Sequence, residues 1–140
     1  MRIVIDTNIW VSGLLWKGPA WRLLKLAERG SVELCTSYAM LLELEEVLGY
    51  ERLQARLAQL KQTPAQLAAY ALNISTPFDV SRGIAPIVKA DPDDDIFLDC
   101  AFQAGALFIV TGDRHMLKLE TYQAIKIVRV EVFLRDEFGM

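Results

Sequence analysis

The stretch "DDDIFLDCAFQAGALFIVTGD", residues 93–113, decides how the chain is read. Aspartates crowd its start. An apolar helical stripe through Phe97, Leu98 and Ala101 follows, and Gly105 marks a helix stop. "ALFIV" is then a short continuous apolar run, the pattern of a strand buried on both faces, and it ends at "TGD". In an α/β unit the helix runs antiparallel to its strand. The helix N-terminus and the strand C-terminus therefore lie at one edge of the sheet. The Asp93–Asp95 cluster and Asp113 are expected to meet there.

The same pattern extends outward in both directions. "RIVIDT" is an apolar run, Ile3 to Ile5, that also ends in an aspartate, Asp6. "SVELCTS" and "AIKIVRV" read as further strands. Pro19 suits a first helical turn and Gly30 a helix stop in "WKGPAWRLLKLAERG". Ser37 N-caps a predicted helix in "SYAMLLELEEVLGY", and "ERLQARLAQLK" continues helical. Thr63 and Pro64 start another helix. "PFDVSRGIAPIVKA" holds a strand and turn, "RHMLKLE" a short helix, and "EVFLRDEF" a last turn or helix. Strands alternating with helices predict an α/β fold: a mostly parallel central sheet flanked by helices, with a helix-rich middle section over residues 37–73 that adds a layer or lobe. A chain of 140 residues with no repeat or linker is expected to form one domain over 1–140.

Ligands of open α/β sheets bind outside the carboxyl ends of the strands. Asp6 and Asp113 both end strands there. Glu43, between Leu42 and Leu44, stands closer to the buried stripe of its helix than Glu45 or Glu46. A carboxylate at the edge of a buried face needs a partner, and a divalent cation supplies one. Oxygen donors without a His or Cys cluster favour Mg²⁺ or Mn²⁺. Within the aspartate cluster Asp94 shares a face with Phe97 and Leu98, so it is taken as the inward ligand, with Asp95 second and Asp99 as an outer ligand. Each acid also has a plainer reading: Asp6 and Asp113 as strand-end turn residues, Asp93 to Asp95 as helix caps, and Glu43 as an ordinary amphipathic edge residue. What the plainer reading leaves unexplained is why separate acids map to one edge.

Composition narrows the class. Fifteen basic against 18 acidic residues give a net charge of -3, unlike proteins that coat nucleic acid, though a small local groove fits. Cys35 and Cys100 stand in apolar contexts and read as reduced core thiols. "MRIVIDT" is no signal peptide and no apolar run is long enough to span a bilayer, so a cytoplasmic protein without membrane contact is expected. The only histidine, His115, reads as a surface residue after the strand end, with substrate contact as the alternative. Arg82, Lys89, Arg114 and Lys118 are candidate phosphate contacts or ordinary solvated cations. Trp10, Trp16 and Trp21 gather near the first loop and read as core and interface, with base-stacking platforms as the alternative. With the Leu-rich helices they motivate an expected self-association, or docking of a protein partner, through apolar surface in residues 10–60.

"IVIDTNIWVSGLL", "TSYAMLLELEEVL" and "DPDDDIFLDCAFQAGALFIVTGDRHML" together resemble the PIN-domain family, in particular its members in bacterial and archaeal toxin–antitoxin operons. The likeness runs over about residues 2–135. It implies a PIN-like fold and a metal-dependent ribonuclease, with Asp6, Glu43, Asp94 and Asp113 at the family's acidic positions. Thr7 or Asn8, and Thr111, match its supporting polar positions. It also implies an RNA substrate and an antitoxin partner. The alternatives are an RNA-processing nuclease outside a toxin system and a non-catalytic module that binds RNA or protein. An aspartyl-phosphate phosphohydrolase is disfavoured, because Thr7 and Asn8 follow Asp6 where that chemistry needs a second Asp two residues on.

Overall fold

A computed structural model describes residues 1–81 and 95–140. Among the described residues, six strands form one sheet in the order β3-β2-β1-β4-β6-β5. They are β1 (Arg2–Ile5), β2 (Glu33–Thr36), β3 (Ser75–Pro77), β4 (Phe108–Val110), β5 (Thr121–Tyr122) and β6 (Ile125–Val128). All neighbours pair in parallel except β5 and β6. The helices are α1 (Thr7–Leu15), α2 (Pro19–Glu28), α3 (Tyr38–Leu48), α4 (Gln54–Leu60), α5 (Pro64–Asn73), α6 (Asp95–Ala104), α7 (Arg114–Leu117) and α8 (Val130–Phe138). The expected α/β architecture with a mostly parallel sheet is what the chain forms. None of the described helices is long and apolar enough to cross a membrane.

Strand alternation splits the core in two. Ile3, Ile5, Leu34, Phe108 and Val110 face a cluster shared with α1, α2, α3, α5 and α8. Val4, Cys35, Ile109 and Ile127 face a second cluster built on Phe97, Leu98 and Ala101 of α6 and Met116 of α7. Both faces of the central strands are thus covered, which is why they read as unbroken apolar runs.

Three local features depart from the sequence reading. The first loop is in fact helix: α1 starts directly after β1. "NIWVSGLL" hides its helical period because most of its faces are buried. Gly13 further weakens the helix signal. A Cβ there would lie 2.8 Å from Leu24 Cδ1 and 2.9 Å from the Ala20 carbonyl, so the glycine permits the close crossing of α1 and α2. The three tryptophans consequently part company. Trp10 is core at 2% exposure, Trp16 is 46% exposed, and Trp21 is half-buried. Second, the helical pattern after α3 is broken by Gly49 and an extended Tyr50, and resumes as a 3-10 turn (Glu51–Leu53) leading into α4. These middle helices form no separate lobe, since Leu44, Leu48, Leu57 and Leu67 join the same cluster as Ile3. Third, β5 and β6 form a short antiparallel hairpin that the reading missed. Its central residues Gln123 and Ala124 have φ of 49° and 69°, conformations usually signalled by Asn or Gly.

Candidate active site

The strand order reverses between β1 and β4, with β2 and β3 on one side and β6 and β5 on the other. Such a switch point opens a crevice at the carboxyl ends of the two strands. Ile5 lies opposite Val110, and the Asp6 N–H donates to the Val110 carbonyl at 3.2 Å. Asp6 leaves β1 and caps α1: its Oδ1 accepts from the Ile9 N–H at 2.9 Å. Its Oδ2 accepts from the Thr111 hydroxyl. Thr111 Oγ1 in turn accepts from the Asp113 N–H at 3.0 Å, so one buried threonine joins the two strand-end aspartates. Asp113 caps α7, accepting from the His115 N–H at 3.3 Å. Glu43 comes from α3, and its Oε2 accepts from the hydroxyl of Thr7, the first residue of α1.

Asp6, Glu43 and Asp113 line one small cavity of about 180 Å³, with Thr7, Asn8, Val47 and Phe97. Val47 stands one turn beyond Glu43 on α3, and Phe97 belongs to α6; they form the apolar wall. At about 30 Å³ per water the space is small, enough for an ion with part of its hydration shell. Burial pushes the Asp6 carboxyl above the usual range, and the negative charge of Asp113 adds to this. Donors from Thr111, Ile9 and Gly112 oppose the shift without cancelling it. From the sequence Asp6 and Asp113 were weighed as turn residues or cation ligands; in the structure both cap helices and also face a shared cavity.

The other expected residues fall in different places. Asp94, with Arg82 and Lys89, lies outside the described residues. Asp95 opens α6. Asp99 is buried, but it lines a separate, mainly apolar cavity of about 590 Å³ with Ser37, Leu41, Leu72 and Phe78. His115, Arg114 and Lys118 are exposed on and after α7. Val47 was not foreseen, although its spacing of four from Glu43 puts it on the same helix face.

The donor chemistry of the cavity fits a hard divalent cation, because every polar side chain in it offers oxygen or amide groups. Among the described residues no three His, Cys, Asp or Glu side chains are grouped tightly enough to enclose a metal by themselves. A closed cage is not needed, since Mg²⁺ keeps several waters and commonly takes one or two carboxylates. Glu43 Oε1 and Asp113 Oδ2 accept no hydrogen bond among the described residues. The cysteines are no ligands: burial pushes Cys35 up to about 11 and Cys100 up to about 12, so both stay thiols in the core.

Comparison with known proteins bears on this arrangement. No curated protein matches the chain significantly. Among solved structures, a chain in the crystal structure of VapBC2 from Rickettsia felis bound to a DNA fragment from their promoter superposes with a TM-score of 0.59 at 17% identity. The match covers 91% of this chain and 97% of that one, and it shows a common fold. The family model described as PIN domain matches residues 2–115, from β1 through the start of α7. That span takes in Asp6, Glu43 and Asp113 and most of the sheet, and the chain belongs to the PIN-domain family.

Proposed function

We propose that this protein is a divalent-metal-dependent endoribonuclease, the toxin half of a toxin–antitoxin pair. The observation that carries the reading is the convergence of Asp6, Glu43 and Asp113, from three separate parts of the chain, on one cavity at the switch point of the sheet. Those three, with Asp94 from the aspartate cluster, are the residues that would hold Mg²⁺ or Mn²⁺. When bound, the ion supplies positive charge that offsets the charge building on a phosphoryl group and makes a nearby water more acidic. The chain's own groups do the rest. The Thr111 hydroxyl and the Ile9 N–H fix Asp6, and the Thr7 hydroxyl fixes Glu43, so the carboxylates are oriented before substrate arrives. Glu43 Oε1 and Asp113 Oδ2 are the oxygens available to accept the proton of an attacking water. Phe97 and Val47 limit bulk water on one wall. No side-chain nucleophile is required, in keeping with cysteines that are buried thiols. An antitoxin partner and a cytoplasmic setting belong to the same reading, supported by the fold shared with a chain of the VapBC2 structure.

The test is gel cleavage of a looped single-stranded RNA with Mg²⁺, Mn²⁺ or EDTA. Wild type should cut only with metal. Asp6→Asn, Glu43→Gln, Asp94→Asn and Asp113→Asn should each lose about a hundredfold or more, as loss of a charge-stabilising group does, with the circular dichroism unchanged. Asp95→Asn should lose less. Cleavage in EDTA equal to that in Mg²⁺ defeats the reading.

A further inference from the structure

We infer that exposed rings and cations running from the end of α1 across α2 and α4 form a track that guides single-stranded RNA away from the cavity; the inference rests on the ribonuclease reading. Three aromatic side chains on this side each carry a cation over the ring. The Arg56 guanidinium lies 5.8 Å from the Trp16 ring centroid. Lys17 and Lys25 lie 5.7 and 5.2 Å from that of Trp21. Arg52 lies 5.9 Å from that of Tyr50. Trp16 and Tyr50 are each nearly half exposed, at 46% and 45%.

The pairs are joined. Arg52 and Arg56 are four apart on the 3-10 turn and α4, which places them on one helical face. The Arg56 Nε donates to the Leu15 carbonyl at 2.8 Å, pinning α4 to the end of α1 beside Trp16. Lys17 follows Trp16 and leans on Trp21. The rings and cations therefore follow one another in a strip from Tyr50 and Arg52 through Arg56, Trp16 and Lys17 to Trp21 and Lys25. Its start is tied to the candidate site, because α1 begins at Thr7 in the cavity wall and ends at Leu15. Nine helical residues span about 14 Å at 1.5 Å each.

Charge selects the occupant. The whole chain is at -3, yet Lys17, Arg52 and Arg56 have no carboxylate in ion-pair contact among the described residues. Glu51 neighbours Arg52 in the chain without pairing to it, and only Lys25 is partly neutralised, by Glu28 at 3.1 Å. A second copy of this chain docking symmetrically would set the strip against itself, cation against cation. A nucleic-acid strand supplies phosphates for the cations and bases to stack on Trp16 and Tyr50, the combination by which single strands are held without sequence preference. The strip also accounts for how an acidic chain holds an anionic substrate near a cluster of carboxylates.

The experiment measures binding of a fluorescein-labelled RNA of about a dozen nucleotides to the full chain in EDTA, by anisotropy over a salt series. Beside it, cleavage in Mg²⁺ is followed on that RNA and on a dinucleotide too short to reach the strip. Lys17→Glu/Arg52→Glu, with both positions exposed, should bind about tenfold or more weakly, and the salt slope should fall by about 1.4 for two lost phosphate contacts. Trp16→Ala should weaken binding at least about fivefold. Dinucleotide cleavage should not change. Lys17→Gln and Arg52→Gln serve if the charge reversals fail to fold. Wild-type affinity and salt slope in all strip variants overturn the inference. So does a result in which the variants lose only self-association, read by sedimentation. If wild type binds through the strip but cuts nothing with any metal, the ribonuclease reading fails and the track stands.

Discussion

Asp6 ends a strand, caps a helix and faces the cavity, and the three roles pull its ionisation in different directions. Burial and the charge of Asp113 raise its pKa, and the donors from Thr111, Ile9 and Gly112 lower it, with burial the larger influence. A carboxyl whose folded-state pKa exceeds its unfolded value stabilises the fold below the unfolded value, near about 3.9. That contribution is lost as pH rises through the folded-state value. In metal-free buffer at neutral pH the Asp6 charge is therefore a cost. Asp6→Asn still accepts from the Ile9 N–H, so it should melt about 2–4 °C above wild type, the shift that about 1 kcal/mol produces at this size. The gap should close as pH falls below about 4. Calorimetry in EDTA over that range decides it, and an Asn variant that melts lower at neutral pH refutes the strain. Asp6 and Asp113 were legible as site candidates because each ends an apolar run at a position fixed by parallel topology. Glu43 was legible from its helical phase. The Thr111 bridge between the aspartates was visible only as a supporting polar position, since hydrogen bonds spanning 105 residues leave no local pattern.

Among the elements, those with ordinary start and stop chemistry were readable, and those without it were not. Ser37 and Thr63 cap α3 and α5 as expected, Thr63 in a full capping box with Gln66. By contrast, α1 has its cap in the strand-end Asp6 and a glycine in its middle, so nothing local announces a helix. Gly13 makes a prediction. Alanine would improve helix propensity by about 1 kcal/mol, but its methyl would meet the Ala20 carbonyl at 2.9 Å, and backbone of a packed helix cannot rotate aside. Overpacking of this kind costs about 1–3 kcal/mol, so Gly13→Ala should lower the melting temperature despite the better propensity; an unchanged or higher value shows that α2 yields freely. The β5–β6 hairpin was hidden for the opposite reason, because Gln123 and Ala124 adopt left-handed φ without a glycine. Ala124 is exposed, and Ala124→Gly should raise stability by up to about 1 kcal/mol by removing that steric cost. A thermal melt that falls instead assigns the larger effect to the unfolded chain's added freedom.

At the scale of the molecule, the cavity ties together parts of the chain that the sheet holds in register but that carry mutually repelling charges. Asp6 follows β1, Asp113 follows β4, and Glu43 rides on α3, which packs on α1. An ion that binds all of them in the folded state meets no such set in the unfolded chain, so its binding energy appears as global stability. At a Mn²⁺ concentration about 100 times its Kd the gain is about 2.7 kcal/mol, or roughly 5–11 °C in melting temperature for a chain of this length. Mg²⁺ should act in the same direction, and Zn²⁺ should hold no advantage, since the cavity offers neither thiolate nor imidazole. Asp6→Asn, already relieved of its charge, should start higher in EDTA and gain much less from Mn²⁺, so the two melting curves should converge or cross as the metal is added. That crossing separates a shared ion site from diffuse screening, which would move both proteins alike and would be reproduced by added KCl at equal ionic strength. Thermal melts of the two proteins in EDTA, Mn²⁺ and matched KCl measure it without reference to any cleavage. Equal shifts in both proteins, or no shift in wild type, would remove the cation from this cavity.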